Sequence, residues 1–246
     1  MSSSVKPENQ IEETLLEARL LRRYKRFLAD VEMEGESEPV TVHCPNPGSM
    51  LGVASEGSTI WLRRARNPNA KLKYGWVLSE VDGGYVSVDT LLANKLFDLA
   101  IKAKHFPELI GYGQILKEKT FRQSRFDFLL GEHKSKQNCY VEVKSTTLAA
   151  GDIAMFPDAK TERGRKHLDH LVLCKEEGFR AVQFFCVCRS DTSIFKPADH
   201  IDKLYGEALR RAAASGVELL AYSVKITRRE QTFEFSMDSA LQVVLQ

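Results

Sequence analysis

Residues 125–145 of this 246-residue chain read RFDFLLGEHKSKQNCYVEVKS. Two runs rich in aromatic and β-branched residues flank a polar stretch, a pattern that predicts two paired strands and their connecting loop. If the strands are antiparallel and Asp127 lies opposite Glu142, the loop spans residues 131–138. Directly opposed side chains in such a pair have Cβ atoms about 5 Å apart. Asp127, Glu142 and Lys144 are then expected to cluster on one face of the hairpin.

This cluster has two interpretations. The period of two predicts that Phe126, Phe128 and Leu130 share the other face of the first strand. The carboxylate pair offers the oxygen ligands that Mg²⁺ takes at about 2.1 Å, and a neighbouring lysine can stabilise charge on a phosphate under attack. The set therefore fits phosphodiester hydrolysis. It also fits a salt-bridged trio on a solvated sheet face, because two acids and a lysine at loose spacing are common.

Composition bounds the possible functions. The chain has 35 basic and 33 acidic residues, a net charge of +2 and 43% hydrophobic residues. It can therefore bury a full core, and any surface for nucleic acid must be a local basic patch. The five cysteines show no CxxC pairing, and Cys186 and Cys188, which alternate along an apparent strand, are expected to be packed thiols and not zinc ligands or a disulfide framework. Without an apolar signal core or a membrane-length apolar run, a cytoplasmic location is expected.

The first part of the chain predicts a small barrel. Residues 1–16 are predicted to be a polar leader, and residues 17–34 a long, bent strand, with a helix as the alternative for its first part. Residues 40–89 then contain four short strand patterns separated by turn signals, among them the loop CPNPGSMLG at 44–52. About five short strands in under ninety residues favour an oligonucleotide-binding (OB) barrel over residues 1–89.

The pattern changes at residue 90. LLANKLFDLAIKAKHF predicts an amphipathic helix that ends at Pro107, and TERGRKHLDHLVLCKEEG predicts a second helix with Thr161 as N-cap. RAVQFFCVC predicts a buried central strand, and the segment AAGDIAMFPD a loop. The tail from FEFSMD onward is expected to add an edge strand. The resulting order of helices and strands predicts an α/β domain with a mixed central sheet over residues 90–246.

Four segments together resemble a known family. They are RRYKRFLADV at 22–31, CPNPGSM at 44–50, SRFDFLL with YVEVKSTTLA on the hairpin, and FPDAKTERGRKHL at 156–168. The chain resembles the sugar fermentation stimulation protein A family over nearly its whole length. The resemblance implies an OB-type barrel followed by a restriction-endonuclease-like PD-(D/E)XK domain. It also implies DNA binding and a regulatory role in sugar (maltose) metabolism.

The resemblance also implies residue roles. It carries binding of Mg²⁺ or Mn²⁺ onto Asp127 and Glu142 and a catalytic role onto Lys144. Two positions depart from the nuclease pattern, because Phe126 stands where a proline is expected and Asn94 where many active nucleases have a glutamate. These departures leave open a weaker or vestigial metal site.

Further candidates each have a structural alternative. Glu118 is a candidate third metal carboxylate, or a solvated charge on a strand. Arg163 and Lys166, at the start of the second helix, are candidate phosphate contacts, while His167 beside them fits a contact or a packing role equally. The remaining DNA-binding candidates lie in the barrel and are Arg22, Arg23, Lys25, Arg26 and Asn46. The interleaved Tyr24 and Phe27 offer rings that could stack on bases of single-stranded nucleic acid, or could fill the barrel core.

Three hypotheses for function follow. The first is a DNA-binding protein, with single-stranded DNA as one candidate form, that carries a metal-dependent nuclease site. The second is a non-catalytic DNA-binding regulator on the same scaffold. The third is an RNA-directed or protein-binding module that uses the barrel alone. The sequence contains no helix-turn-helix pattern, which argues against reading of duplex sequence by a major-groove helix.

Overall fold

The computed structural model describes residues 9–246. The first strands in that range are β1 (Gln10–Thr14), β2 (Leu16–Tyr24), β3 (Leu28–Glu32), β4 (Val40–His43), β5 (Thr59–Arg64), β6 (Tyr74–Val81) and β7 (Gly84–Ser87). Strands β2 to β7 form one sheet in the order β4-β3-β2-β5-β6-β7, and β4 also pairs in parallel with β6. That pairing closes five strands into a barrel around a core that includes Leu62 and Trp76. The predicted OB-type barrel is confirmed.

The segment predicted as one long, bent strand is a hairpin. Strands β2 and β3 pair antiparallel, and the chain reverses at Lys25 and Arg26, whose φ angles are 49° and 62°. Positive φ is unusual for residues other than glycine, and the sequence has no glycine, asparagine or proline here to signal the turn. The helical alternative for this segment is wrong.

The predicted polar leader falls partly outside the described residues, which begin at residue 9. Residues 10–14 are a strand, because β1 pairs antiparallel with a strand near the other end of the chain, in register from Gln10↔Ser236 to Thr14↔Thr232. This part of the chain therefore adds to the sheet of the second half of the protein and not to the barrel.

The second half contains a seven-stranded sheet in the order β1-β16-β15-β13-β10-β9-β8. Its further strands are β8 (Gln114–Phe121), β9 (Ser124–Gly131), β10 (Cys139–Thr146), β13 (Arg180–Val187), β15 (Glu218–Arg229) and β16 (Thr232–Ala240). Strands β10, β13 and β15 run parallel at the centre, and every residue of β13 after Arg180 is buried. The predicted mixed sheet with a buried central strand is confirmed.

A smaller sheet lies beside the large one. It consists of β11 (Leu148–Ala150), β12 (Ile153–Phe156), β14 (Ile194–Pro197) and β17 (Gln242–Val243). The segment predicted as a loop after the hairpin is thus a second hairpin, formed by β11 and β12. The predicted edge position of the tail is also corrected. Of the two strands that the tail forms, β16 lies between β15 and β1, and the short β17 is at the edge of the smaller sheet.

Three helices cover the large sheet within residues 9–246: α1 (Thr90–Lys102), α2 (Glu162–Glu176) and α3 (Asp199–Ala214). Asp89 caps α1, which ends at Ala103, before the predicted stop at Pro107. Thr161 caps α2 as predicted, since its hydroxyl accepts a hydrogen bond from Gly164 N at 3.0 Å. Helix α1 packs in one core cluster, and α2 and α3 pack together in another.

Two remaining features of the described chain are the state of its cysteines and the length of its helices. All five cysteines are buried free thiols, and the predicted packing of Cys186 and Cys188 is confirmed. None of the helices in the described part of the chain is long and apolar enough to cross a membrane.

Candidate metal and nucleic-acid site

The hairpin of β9 and β10 has the predicted register, because Cys139 pairs with Leu130 and Val141 with Phe128. The pairing stops there, one position before Asp127 and Glu142 would face each other. In place of a backbone partner, Val143 N donates a hydrogen bond to Asp127 Oδ2 at 2.8 Å. The two strands therefore separate at the carboxylates, and the Asp127 side chain satisfies the backbone at the point of separation.

This separation corrects the predicted facing of β9. Phe128 packs in the core cluster beneath α1, whereas Phe126 packs in the cluster beneath α2 and α3. The two side chains would share a face in a regular strand, so β9 turns about its axis at Asp127. The turn leaves Asp127 at the junction between the two cores.

The Glu142 carboxylate forms hydrogen bonds with two side chains, Lys144 and His167. Its Oε1 accepts from Lys144 Nζ at 2.6 Å and from His167 Nδ1. Only 3% of Glu142 is exposed, and burial by itself would raise the pKa of the carboxyl. The hydrogen bonds and charges of His167 and Lys144 outweigh burial and bring the pKa below its ordinary value. Glu142 is therefore ionised, and its Oε2 is buried without a hydrogen-bond partner among the described residues.

Asp127 has the opposite electrostatic balance. Its Oδ1 accepts from Asn94 Nδ2 at 2.8 Å, so this residue of α1 supports the carboxylate directly. Burial and the negative charge of Glu142 raise the pKa of Asp127, and the hydrogen bonds from Val143 N and Asn94 offset only part of that effect. A pair of carboxylates in this state gains stability from any added positive charge.

The carboxylates line a cavity of about 880 Å³, which we call the site cavity. Its walls come from both halves of the chain. The barrel contributes Arg23, Arg26 and the segment Asn46–Ser49, while α1 contributes Thr90 and Asn94. The remaining lining residues include Asp127, Glu142, Lys144, Lys160, Arg163 and His167.

A direct contact joins the two walls. Ser49 Oγ donates to the carbonyl oxygen of Asp158, and Met50 N donates to Asp158 Oδ2 at 3.0 Å. Gly48 lies so close to this aspartate that an added Cβ would sit 2.3 Å from Asp158 Oδ2. The glycine in the CPNPGSM loop therefore permits the close approach.

The candidate DNA contacts of the barrel differ in what they do. Arg23 organises the CPNPGSM loop, since its Nη2 donates to the carbonyl oxygens of Asn46 and Gly48, each at 2.9 Å. Arg22 is paired with Asp30 at 2.9 Å and does not line the site cavity. Lys25 is exposed at the turn, next to Arg26, which does line it. The structure thus brings Arg23, Arg26 and Asn46 to the cavity, but not Arg22 or Lys25.

The two stacking candidates separate in the same way. Tyr24 OH donates to Asp30 Oδ1 at 3.0 Å, and the Arg22 guanidinium lies 5.1 Å from the centre of its ring. Phe27 is 47% exposed at the tip of the same hairpin. Of the two rings, Phe27 has the free face that stacking on a base would require.

The candidates on α2 also separate. Arg163 lines the site cavity, and its Nε lies 3.5 Å from His167 Nε2. Lys166 instead pairs with Glu162 at 2.9 Å on the exposed side of the helix. His167, for which the sequence left contact and packing roles open, is buried against Glu142.

Glu118 does not join the carboxylate pair, which corrects its predicted place as a third metal ligand. Its side chain is 62% exposed and pairs with Arg125 at 3.2 Å. Although β8 and β9 are paired on both sides of this position, the backbone at Glu118 has a φ of 51°. Strand β8 thus departs from extended geometry here, and Glu118 is absent from the lining of the site cavity.

The residues present fit a cation that keeps part of its coordination shell. Within residues 9–246, no group of three or more His, Cys, Asp or Glu side chains is arranged to hold a metal ion. Mg²⁺ is commonly bound by one or two carboxylates, with waters and substrate phosphates as its other ligands. The unpartnered Oε2 of Glu142 and the raised pKa of Asp127 are the features expected of such a two-carboxylate site.

The fold and the cavity define a class, namely a two-domain protein in which an OB barrel and a mixed α/β domain share one acidic and basic cleft. Two family models match the chain: the SfsA N-terminal OB domain over residues 21–88 and the sugar fermentation stimulation protein RE domain over residues 91–230. The chain therefore belongs to the sugar fermentation stimulation protein family.

Individual relatives agree. A sugar fermentation stimulation protein homolog of Geotalea uraniireducens is 49% identical over 213 residues, covering 86% of this chain and 91% of the relative. A homolog of Pseudomonas aeruginosa strain LESB58 is 46% identical over 223 residues, covering 89% and 94%. The solved structure of Pyrococcus furiosus SfsA, in complex with Ca²⁺, has a TM-score of 0.84 and 28% identity, covering 98% of this chain and 97% of the other.

Proposed function

We propose that this protein binds DNA and hydrolyses phosphodiester bonds with the help of a divalent cation held by Asp127 and Glu142. The observation that carries the proposal is the buried carboxylate pair, with Lys144 beside it, in a cavity also lined by arginines from both domains. Glu142 Oε2 is buried without a hydrogen-bond partner among the described residues, and such an atom costs free energy unless a ligand satisfies it.

The cation would be Mg²⁺ or Mn²⁺ during the reaction. The related Pyrococcus furiosus protein is described in complex with Ca²⁺, which, like Mg²⁺, takes oxygen ligands. When bound, such a cation polarises a phosphoryl oxygen and lowers the pKa of a coordinated water. Asp127 and Glu142 are the residues that would hold it.

The chain's own residues would bind and orient the substrate. Lys144 Nζ, 2.6 Å from Glu142, can place positive charge next to the phosphate. Arg26, Lys160 and Arg163 line the same cavity and can attract the phosphates on either side. Asn94 and His167 are positioning residues, because each holds one of the two carboxylates.

The first experiment is cleavage of labelled single- and double-stranded DNA in Mg²⁺, Mn²⁺ or a chelator. The wild type is compared with Asp127→Asn, Lys144→Ala and the control Lys134→Ala, an exposed lysine that does not line the site cavity. We expect metal-dependent cleavage that both site variants lose and the control retains. Cleavage that persists in both site variants would contradict the proposed site.

A non-catalytic DNA-binding regulator on the same scaffold is the second candidate. Asn94, where the family resemblance implies a glutamate in many active nucleases, is an amide that donates to Asp127, and a group of only two acids favours weak cation binding. Tight DNA binding without cleavage in either cation would support this candidate. The connection to sugar metabolism rests on family membership.

A further inference from the structure

A second cavity, of about 590 Å³, lies on the barrel side of α1, and we call it the basic cavity. Its lining includes His43, Arg64, Arg66, Lys71, Tyr74 and Lys95. No aspartate or glutamate of the described chain lines it. In a protein whose total charge is nearly balanced, this is a local concentration of positive charge.

The charges in the basic cavity are free to bind a ligand. Arg66, Lys71 and Lys95 are exposed, and none of them forms a side-chain hydrogen bond or ion pair within residues 9–246. Arg63, at the edge of the same cavity, shows the contrast, because Glu13 and Asp89 neutralise it at 2.6 and 2.9 Å. The three free cations therefore do not serve the fold.

The loop that carries two of these cations is ordered by its own hydrogen bonds. It joins β5 to β6, the fourth and fifth strands of the barrel. Ala65 N donates to the Lys73 carbonyl oxygen at 2.7 Å, and Lys73 Nζ donates to the Pro68 carbonyl oxygen at 2.6 Å. In OB barrels the loop between the fourth and fifth strands commonly contacts oligonucleotides. These bonds order the loop that carries Arg66 and Lys71.

The basic cavity and the site cavity are lined by neighbouring residues of the chain. Asn94 lines the site cavity, and the next residue, Lys95, lines the basic cavity. Likewise His43 lines the basic cavity and Asn46, three residues on, lines the site cavity. The start of α1 and the segment 43–46 therefore contribute to the walls of both cavities.

We infer that the basic cavity binds the sugar-phosphate backbone of the DNA strand that flanks the site cavity. Arg66, Lys71 and Lys95 supply charge for consecutive phosphates, while the site cavity holds the phosphate next to Asp127 and Glu142. This inference rests on the DNA-binding part of the proposed function and does not require cleavage. It extends the proposed DNA contact from Arg23 and Arg26 of the site cavity to the loop between β5 and β6 and to Lys95 of α1.

The test is the salt dependence of binding to a labelled single strand of about 16 nucleotides, the upper range for one OB fold. Binding is measured by fluorescence anisotropy in chelator, so that hydrolysis does not interfere. The variant Arg66→Glu/Lys71→Glu is compared with Lys134→Glu/Lys136→Glu, which changes the net charge equally at exposed lysines outside both cavities. All four residues are exposed, so both variants are expected to fold.

We expect the slope of log K against log salt concentration to become shallower by about 1.4 in the basic-cavity variant, since each lost single-strand contact removes about 0.7. The control should keep nearly the wild-type slope. Equal slopes in the two double variants, with DNA binding intact in the wild type, would overturn the inference alone. Absence of DNA binding by the wild type would overturn the proposed function and the inference together.

A further measurement separates a polymer from a free anion. Thermal stability is compared in inorganic phosphate and in chloride at equal ionic strength. Phosphate stabilises folded proteins in general, so we expect the wild type and Arg66→Glu/Lys71→Glu to show the same change of melting temperature between the two salts. A rise in phosphate that Arg66→Glu/Lys71→Glu removes would identify a site for the free ion and overturn the assignment to the DNA backbone.

Discussion

Asp127 and Glu142 differ at the scale of single residues because their neighbours differ. Glu142 has Lys144 and His167, which lower its pKa below the ordinary value despite burial. Asp127 has only neutral hydrogen-bond donors, Asn94 and Val143 N, as direct partners, and its pKa is raised. The negative charges of the buried Asp127 and Glu142 carboxylates repel each other, so a cation bound between them should stabilise the folded protein.

We predict that Mn²⁺ or Ca²⁺ raises the melting temperature of the wild type and that Asp127→Asn abolishes the rise. A ligand at 100 times its dissociation constant stabilises the folded state by about 2.7 kcal/mol. Glu118→Gln is the matched control, because the Glu118 carboxylate is exposed and pairs with Arg125. Differential scanning calorimetry checks this, and loss of the rise in Glu118→Gln would restore Glu118 as a ligand.

The role of His167 can be tested by pH. The stabilisation that Glu142 gains from its lowered pKa is present above its unfolded pKa and is lost as pH falls through the folded pKa. Removing His167 takes away a hydrogen bond and a charge that oppose the effect of burial, so the pKa of Glu142 rises. We therefore predict that the acidic limit of cation binding moves to higher pH in His167→Ala.

Two controls separate this effect from general destabilisation. His167→Asn retains a side-chain donor and should restore much of the wild-type limit. His170→Ala changes a histidine of the same helix that contacts Ser124 and not Glu142, so it should leave the limit unchanged. Calorimetric titration of Mn²⁺ across the acidic range measures the limit, and identical limits in all variants would exclude positioning by His167.

The site residues divide into those that local sequence could reveal and those that it could not. The cluster of Asp127, Glu142 and Lys144 follows from the register of one hairpin, which alternating apolar residues specify. His167 is 25 residues from Glu142 and reaches it only through packing of α2. The prediction of Glu118 as a metal ligand was wrong because Glu118 itself has a positive φ, which interrupts the extended geometry of its strand.

At the scale of elements, strands with a β-branched or aromatic run could be predicted, and strands without one or with an unusual turn could not. Strands β4 to β7 lie where such runs predict them. The β2–β3 hairpin was missed because its turn uses Lys25 and Arg26 with positive φ. Strands β11 and β12 were missed because their sequences, LAA and IAMF, contain three alanines, which strands disfavour, and a single β-branched residue.

The β11–β12 hairpin leads to Asp158, whose contact with the CPNPGSM loop can be tested. We predict that Gly48→Ala destabilises the protein by about 1–3 kcal/mol, as overpacking does, because the new Cβ would meet the Asp158 carboxylate at 2.3 Å. In Gly48→Ala/Asp158→Ala the added methyl should cost less than it does alone, since the clashing group is gone. Urea unfolding of the wild type, Gly48→Ala, Asp158→Ala and the double variant gives the coupling energy between the two positions. Additive effects would show that the loop absorbs the Cβ elsewhere.

At the scale of the whole molecule, the two halves share a core and an ion-pair network. Trp61 of the barrel packs against Phe233 of the large sheet, with ring centroids 4.8 Å apart. Arg63 of the barrel contacts Glu13 of β1 at 2.6 Å and Asp89, the cap of α1, at 2.9 Å. The β1 contact could not be predicted from the sequence, because β1 is polar and its partner strand lies more than 200 residues away.

These contacts predict that the barrel and the large sheet unfold together. Both tryptophans, Trp61 and Trp76, lie in barrel strands, so their fluorescence reports mainly on the barrel, while circular dichroism reports on the whole chain. We expect the two signals to give coincident urea transitions in the wild type.

Arg63→Met should lower the free energy of unfolding by about 3 kcal/mol, because it leaves Glu13 and the buried Asp89 without their cation. Arg64→Met, which removes only an exposed contact with the Tyr74 ring at 5.5 Å, should cost less than about 1 kcal/mol. Separate transitions for fluorescence and circular dichroism in the wild type would mean that the shared core and the Arg63 network do not couple the two halves.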